Sequence, residues 1–172
     1  QIDEWNKVKG RFVELNFNEP VEQLLFLAAE KIAEYGFVTN DKVELGKVHS
    51  IISEAKLYPL KEFDSFDFSN RIYPLDLLSA SILTLALQEY GQNERSLFSF
   101  IETEEEFGLY GFNAESNPFF NIACVYDYLN YYHFSIISTK YNPYLNQWNS
   151  IRSALDRIEV RMPALAKDAG KL

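Results

Sequence analysis

The stretch "LDLLSASILTLAL", residues 75–87, constrains the fold more than any other part of this 172-residue chain. Its apolar side chains fall on nearly every side of a helical wheel, and a helix that is apolar all round must be enclosed by other elements. It is too short to span a bilayer and carries Asp76, and no basic-then-apolar leader opens the chain. The expectation is a central buried helix over residues 74–90, opened by Pro74 and stopped by Gly91.

Helices that can enclose it are legible on either side. Val21, Leu24, Leu25, Ala28 and Ile32 keep helical spacing between Pro20 and Gly36, with Glu22, Glu30 and Lys31 on other faces. A second helix is expected over 41–57, with Val48, Ile51, Ile52 and Ala55 as its inner face and Tyr58-Pro59 as its end. "KEFDSFDFSNRI", residues 61–72, interleaves Phe63, Phe66 and Phe68 with acids and reads as an ordered loop whose rings plug the core. Further helices are expected over 93–103, 122–134 and 144–160, with Met162-Pro163 starting a last fragment. "GRFVELNF" alternates, which predicts a short strand over residues 12–17. An exposed edge strand can pair with another copy, which allows a weak homodimer. The expected fold class is all-α, an irregular helical bundle with one short N-terminal β-strand. Residues 1–172 read as one helical domain, and the loop at 108–118 is the place for a hinge.

A composition of 47% hydrophobic and 16% aromatic residues suits a packed core and not a disordered chain. The net charge of -9 argues against nucleic acid and anionic membranes as partners, because such binding rests on clustered Lys and Arg. Cys124 is the single cysteine, which excludes an internal disulfide and a cysteine-built metal cluster within one chain. A reducing, cytoplasmic compartment is the matching expectation.

Few residue patterns carry chemistry. His49 and His133 lie in different expected helices without a second ligand at helical spacing, so no metal site is expected. Cys124 in "IACV" reads as a small buried thiol. Neither GxxxxGK[ST] nor GxGxxG occurs, so the isolated chain cannot cradle a triphosphate and is not expected to be an enzyme or to hydrolyse nucleotide. The run "ETEEEF" reads as a solvated face. The belt "VYDYLNYYHF", continued by Tyr141, Tyr144 and Trp148, can border a core or form a binding surface. Tyr128, Tyr131, Tyr132 and Trp148 are its partner-binding candidates.

Arg95 stands apart from these. On a helix over 93–103, Leu97, Phe98, Phe100 and Ile101 point one way, while Arg95, Ser99 and Glu102 share the opposite, exposed face. An arginine in the first turn opposes the positive end of the helix dipole, whereas Glu94 suits it. Local propensity therefore does not account for Arg95. It is either a surface partner of Glu94 or Glu102, worth under about 1 kcal/mol, or a guanidinium presented to an anion held by another domain.

"YPLDLLSASILTLALQEYGQNERSLFSFIETEEEFGL" resembles a stretch of large bacterial P-loop ATPases of AAA-like type, often labelled ATP-binding proteins and associated with phage-defence loci. "EWNKVKGRFVELNFNEPVEQLLFLAAEKI" is similar to the segment that leaves their core strands, and "WNSIRSALDRIE" to a later helix. The family often reads Tyr-Pro-Leu-His-Pro where this chain has Tyr73-Pro74-Leu75-Asp76-Leu77. The resemblance implies a helical lid following an upstream core of the same polypeptide, a core that would hold the ATP and magnesium. It also implies that Arg95, with Glu94 and Asn93 of the same motif and Arg11 in "GRF", senses or contacts the nucleotide. The chain opens at Gln1 without Met and ends in "KDAGKL", which fits a piece of a longer protein. A free-standing helical interaction module using the aromatic surface is the alternative expectation. A small enzyme has only Cys124, His133 and the acids to offer.

Overall fold

A computed structural model of the chain describes residues 21–37, 42–55, 66–92, 94–102, 104, 106–113 and 117–163. These residues are mostly helical. In chain order the helices are α1 (Val21–Glu34), α2 (Lys42–Ala55), α3 (Phe66–Arg71), α4 (Leu77–Tyr90), α5 (Glu94–Glu102), α6 (Ile122–Tyr132), α7 (Phe134–Ile137) and α8 (Leu145–Arg161). The strand expected over residues 12–17 lies outside the described residues. Among those described, the nearest approach to a sheet is one isolated parallel bridge between Leu75 and Phe120.

The all-round apolar segment is the centre of the molecule, as its sequence requires. α4 buries Leu77, Ser79, Ala80, Ser81, Leu83, Thr84, Leu87 and Tyr90 and packs against α1, α2, α5 and α6. Its buried hydroxyls stay inside the helix: Ser81 donates to the Leu77 carbonyl and Thr84 to the Ala80 carbonyl, both at 2.7 Å. That satisfies polar groups which would otherwise be costly to bury. α1 presents Leu24, Leu25, Ala28, Ala29 and Ile32 to the core, the face its spacing predicts.

Three expectations need correction. The central helix begins at Leu77, not Pro74. The Pro74 carbonyl instead accepts the Phe120 N–H at 2.8 Å, while Asp76 caps the helix by accepting from Ser79 N–H at 2.8 Å. Pro74 and Leu75 are thus committed to the loop before α6. The second helix buries Leu45, whereas Ile51 is 67% exposed and Ala55 is exposed too. The inward line is Leu45, Val48 and Ile52, and Leu45 and Val48 meet Tyr73 and Phe119 in a small satellite cluster. Finally, Phe66–Arg71 is a short helix and not a loop; Phe68 and Ser69 bury on it, and the Ser69 hydroxyl shares a 2.8 Å hydrogen bond with His49 Nδ1 of α2.

The stretch 108–118 is anchored at its start. Leu109 is fully buried and donates its N–H to the Phe100 carbonyl at 3.0 Å, and Phe112 meets the buried Phe120 ring at 5.3 Å. Residues 114–116 of that stretch lie outside the described residues. α8 differs from the other long helices, since none of its residues is fully buried.

Candidate functional site

The α4–α5 corner, "YGQNERS", is built from backbone constraints upward. Gly91 closes α4 by donating its N–H to the Leu87 carbonyl at 3.0 Å. A Cβ at Gly91 would lie 2.6 Å from Ser96 Oγ and 2.8 Å from the Leu87 carbonyl oxygen, so the chain crosses here only because the residue lacks a side chain. Ser96 Oγ accepts the Gln92 N–H at 2.7 Å, which ties the first turn of α5 back to the residue that follows Gly91. Arg95 N–H donates to the Gln92 carbonyl at 3.2 Å, which tightens the first turn. On the inner side, Leu97, Phe100 and Ile101 are all buried. Phe100 meets Phe120 at 5.2 Å and Tyr128 at 4.8 Å, both edge to face.

Arg95 is exposed on the outer side of this corner and makes no ion pair with a described residue. Glu102, one of its two expected partners, is taken by Lys31 of α1: the ammonium lies 3.0 Å from Glu102 and 3.3 Å from Glu34. The Glu102 hydrogen bond, then that of Glu34, pushes the Lys31 pKa upward. The Glu94 side chain, Asn93 and Arg11 lie outside the described residues, so of the four nucleotide-facing candidates the side chain of Arg95 is the one the structure places.

The aromatic belt divides. Tyr128 is buried against Phe100 and is a core residue, which removes it from the candidate surface. Trp148 is half-buried; its indole N–H donates to the Tyr90 hydroxyl at 3.0 Å and its ring stacks on Tyr126 at 6.1 Å. Tyr131 and Tyr132 are exposed and meet each other at 5.0 Å. Sequence reasoning missed their neighbour Phe107, whose ring lies 5.4 Å from Tyr131 and whose φ of 63° places a residue with a side chain in the left-handed region. The only signal was a ring set between an acidic run and Gly108, which helical periodicity does not detect.

The remaining reactive side chains have structural settings. Cys124 accepts from Asn117 Nδ2 at 3.7 Å, and His133 ends α6 with its ring 6.1 Å from Tyr128. Among the described residues no group of three His, Cys, Asp or Glu side chains is placed to hold a metal ion, and no helix is long and apolar enough to cross a membrane. No protein-family model, curated protein or solved structure matches the chain. The likeness to P-loop ATPases therefore rests on the quoted residues alone.

Proposed function

We propose that the chain is a non-catalytic helical lid or coupling module of a larger P-loop ATPase. In this reading Arg95 is the group it holds toward the phosphates of a nucleotide bound by an upstream core. The observation that carries the reading is the division of labour in the α4–α5 corner. Gly91 makes room, Ser96 ties the turn to the Gln92 N–H, and Leu97, Phe100 and Ile101 bury, while Arg95 is exposed and has no structural task among the described residues. The corner anchors the backbone of the first turn, and a guanidinium carried there suits a phosphate because its planar fork can donate two parallel hydrogen bonds. ATP and magnesium would be held by the core, since the 172 residues contain no phosphate loop. The contribution of this chain is one positive charge whose position follows the lid.

The test begins with the coding sequence upstream of Gln1, where a GxxxxGK[ST] motif is expected. ATP turnover of that longer protein is then compared with its Arg95→Ala and Arg95→Lys variants. Absence of the motif, or normal turnover by both variants, removes the reading.

One observation favours a second reading, a free-standing interaction module: Phe107, Tyr131 and Tyr132 form an exposed run of rings in mutual contact. Absence of an upstream phosphate loop leaves this reading in place.

A further inference from the structure

Among the described helices α8 is the longest, at 17 residues, and none of its residues is fully buried. α1 and α4, at 14 residues each, supply much of the core instead. α8 meets the body through ring and polar contacts at two positions four residues apart, hence on one side of the helix. Trp148 stacks on Tyr126 of α6 at 6.1 Å and meets Tyr90 of α4 edge to face at 6.2 Å, with its indole N–H on the Tyr90 hydroxyl. Arg152 donates to Asn130 Oδ1 of α6 at 3.1 Å and lies over the Phe134 ring of α7 at 4.9 Å. Tyr90, Tyr126 and Asn130 have polar ends, so the floor beneath α8 tolerates water better than a purely aliphatic one. The root of α8 is pinned separately: buried Asn142 donates Nδ2 to the Ile137 carbonyl at 2.7 Å and accepts the Tyr144 N–H at 3.0 Å. The helix can leave its floor while its root stays on the body.

We infer that α8 is a displaceable strap over a helix-binding groove floored by Tyr90, Tyr126, Asn130 and Phe134, which a partner protein enters with a helix presenting a tryptophan and, four residues on, an arginine. The occupant is read from the strap itself, whose Trp148 and Arg152 are side chains that fit this floor. A tryptophan supplies both a broad ring for Tyr126 and an N–H for the Tyr90 oxygen, whereas a phenylalanine supplies only the ring. An arginine can donate to the Asn130 oxygen while its flat face lies on Phe134, and a lysine lacks that planar face. The net charge of -9 also favours an incoming cation. The inference does not rest on the ATPase reading, because it uses no property of Arg95.

A synthetic peptide of residues 144–163 serves as the probe helix, titrated into the isotope-labelled full chain and followed by NMR. The tethered α8 competes at the effective concentration of a short linker, on the order of millimolar, so the peptide is carried to that level. In the parent chain the indole N–H resonance of Trp148 should move toward its free position while the amides of Tyr126, Asn130 and Phe134 shift little. Trp148→Phe has opposite consequences in the two molecules. In the chain, with folding checked by circular dichroism, it weakens the strap, and the unchanged peptide should bind about two- to tenfold more tightly, the worth of the hydrogen bond the strap has lost. In the peptide it should weaken binding to the parent chain by a similar factor, and Arg152→Lys in the peptide should weaken it too. A helix that is merely part of the core gives neither the displacement nor the gain. No displacement in either chain, equal titration of parent and variant, or indifference to both peptide substitutions overturns the groove. Exchange of α8 between chains in a dimer formed without peptide makes a second copy the occupant and overturns the partner.

Discussion

The indole N–H of Trp148 donates to the phenol oxygen of Tyr90 across 3.0 Å, joining the last residue of the buried α4 to a helix that fully buries none of its own. Tyr90 immediately precedes Gly91, so the same residue ends the central helix, begins the Arg95 corner and holds α8. A further attachment of α8 is Arg152, which donates to Asn130 Oδ1 at 3.1 Å and lies over Phe134.

Trp148→Phe should therefore loosen α8 without unfolding the body. The variant keeps a ring to stack on Tyr126 but loses a hydrogen bond worth about 0.5–1.5 kcal/mol. The expected outcome is faster amide exchange throughout residues 145–161 with little change in the amides of α4. Tyr90→Phe should reproduce the effect, and the double variant should add little to either single one, because both remove the same bond. Equal acceleration of exchange in α4 and α8 would mean that α8 is integral to the body.

Gly91→Ala should be destabilising although the corner is near the surface. The new Cβ would meet Ser96 Oγ at 2.6 Å and the Leu87 carbonyl at 2.8 Å, and overpacking of this kind costs about 1–3 kcal/mol. Adding Ser96→Ala does not relieve the carbonyl contact and deletes the bond to Gln92 N–H, so the double variant should remain below the parent in urea melts. Full recovery would show that the corner adjusts freely, leaving Arg95 less firmly held than its backbone implies.

Asp76 links stability to pH with a sign opposite to that of most carboxylates. Burial raises its pKa, and the hydrogen bonds from Ser79 and Leu78 only partly offset this. Because the folded state holds the proton more tightly than the unfolded one, the contribution of Asp76 is most favourable below the ordinary aspartate range. It falls as pH rises from there through the raised folded value. Asp76→Asn keeps an oxygen for the Ser79 N–H and removes the charge, and Asn caps helices as well as Asp. The variant is thus expected to match or exceed the parent at neutral pH, with the gap closing as pH falls through that window. Asp76→Ala, which removes the cap, should cost about 1 kcal/mol. Paired urea melts across pH decide it; a parent that gains on Asp76→Asn as pH rises would reverse the sign.

Much of this architecture is readable from periodicity, and the misreadings share a cause. α1 and α4 are legible because one has a single apolar stripe and the other is apolar all round, so neither leaves a choice of inner face. α2 offers more than one stripe, and the choice of Leu45 over Ile51 is made by Tyr73 and Phe119, which no local pattern reveals. "FDFSNR" has poor helix formers, yet it is helical where Phe68 is buried; tertiary packing outweighs propensity over so few residues. At the candidate site, helical phase places Arg95 outward correctly. It cannot show that Glu102 belongs to Lys31, because that pairing depends on how α1 lies against α5.

Arg95 should be dispensable for folding. Its side chain is exposed, alanine is the better helix former, and a cation in the first turn opposes the helix dipole. Arg95→Ala is therefore expected to change unfolding free energy by no more than about 0.5 kcal/mol. Leu97→Ala, two positions on and fully inside, should cost about 2–5 kcal/mol. In the longer ATPase proposed above, the same Arg95→Ala change should cut turnover by about 10³ if the guanidinium meets the phosphates in the transition state. Arg95→Lys should restore little of that, because a point charge lacks the planar fork. The two measurements separate the roles. A large loss of stability in Arg95→Ala makes the residue a structural one and takes away the observation on which the nucleotide reading stands, whereas unchanged stability with unchanged turnover leaves Arg95 a solvated surface charge.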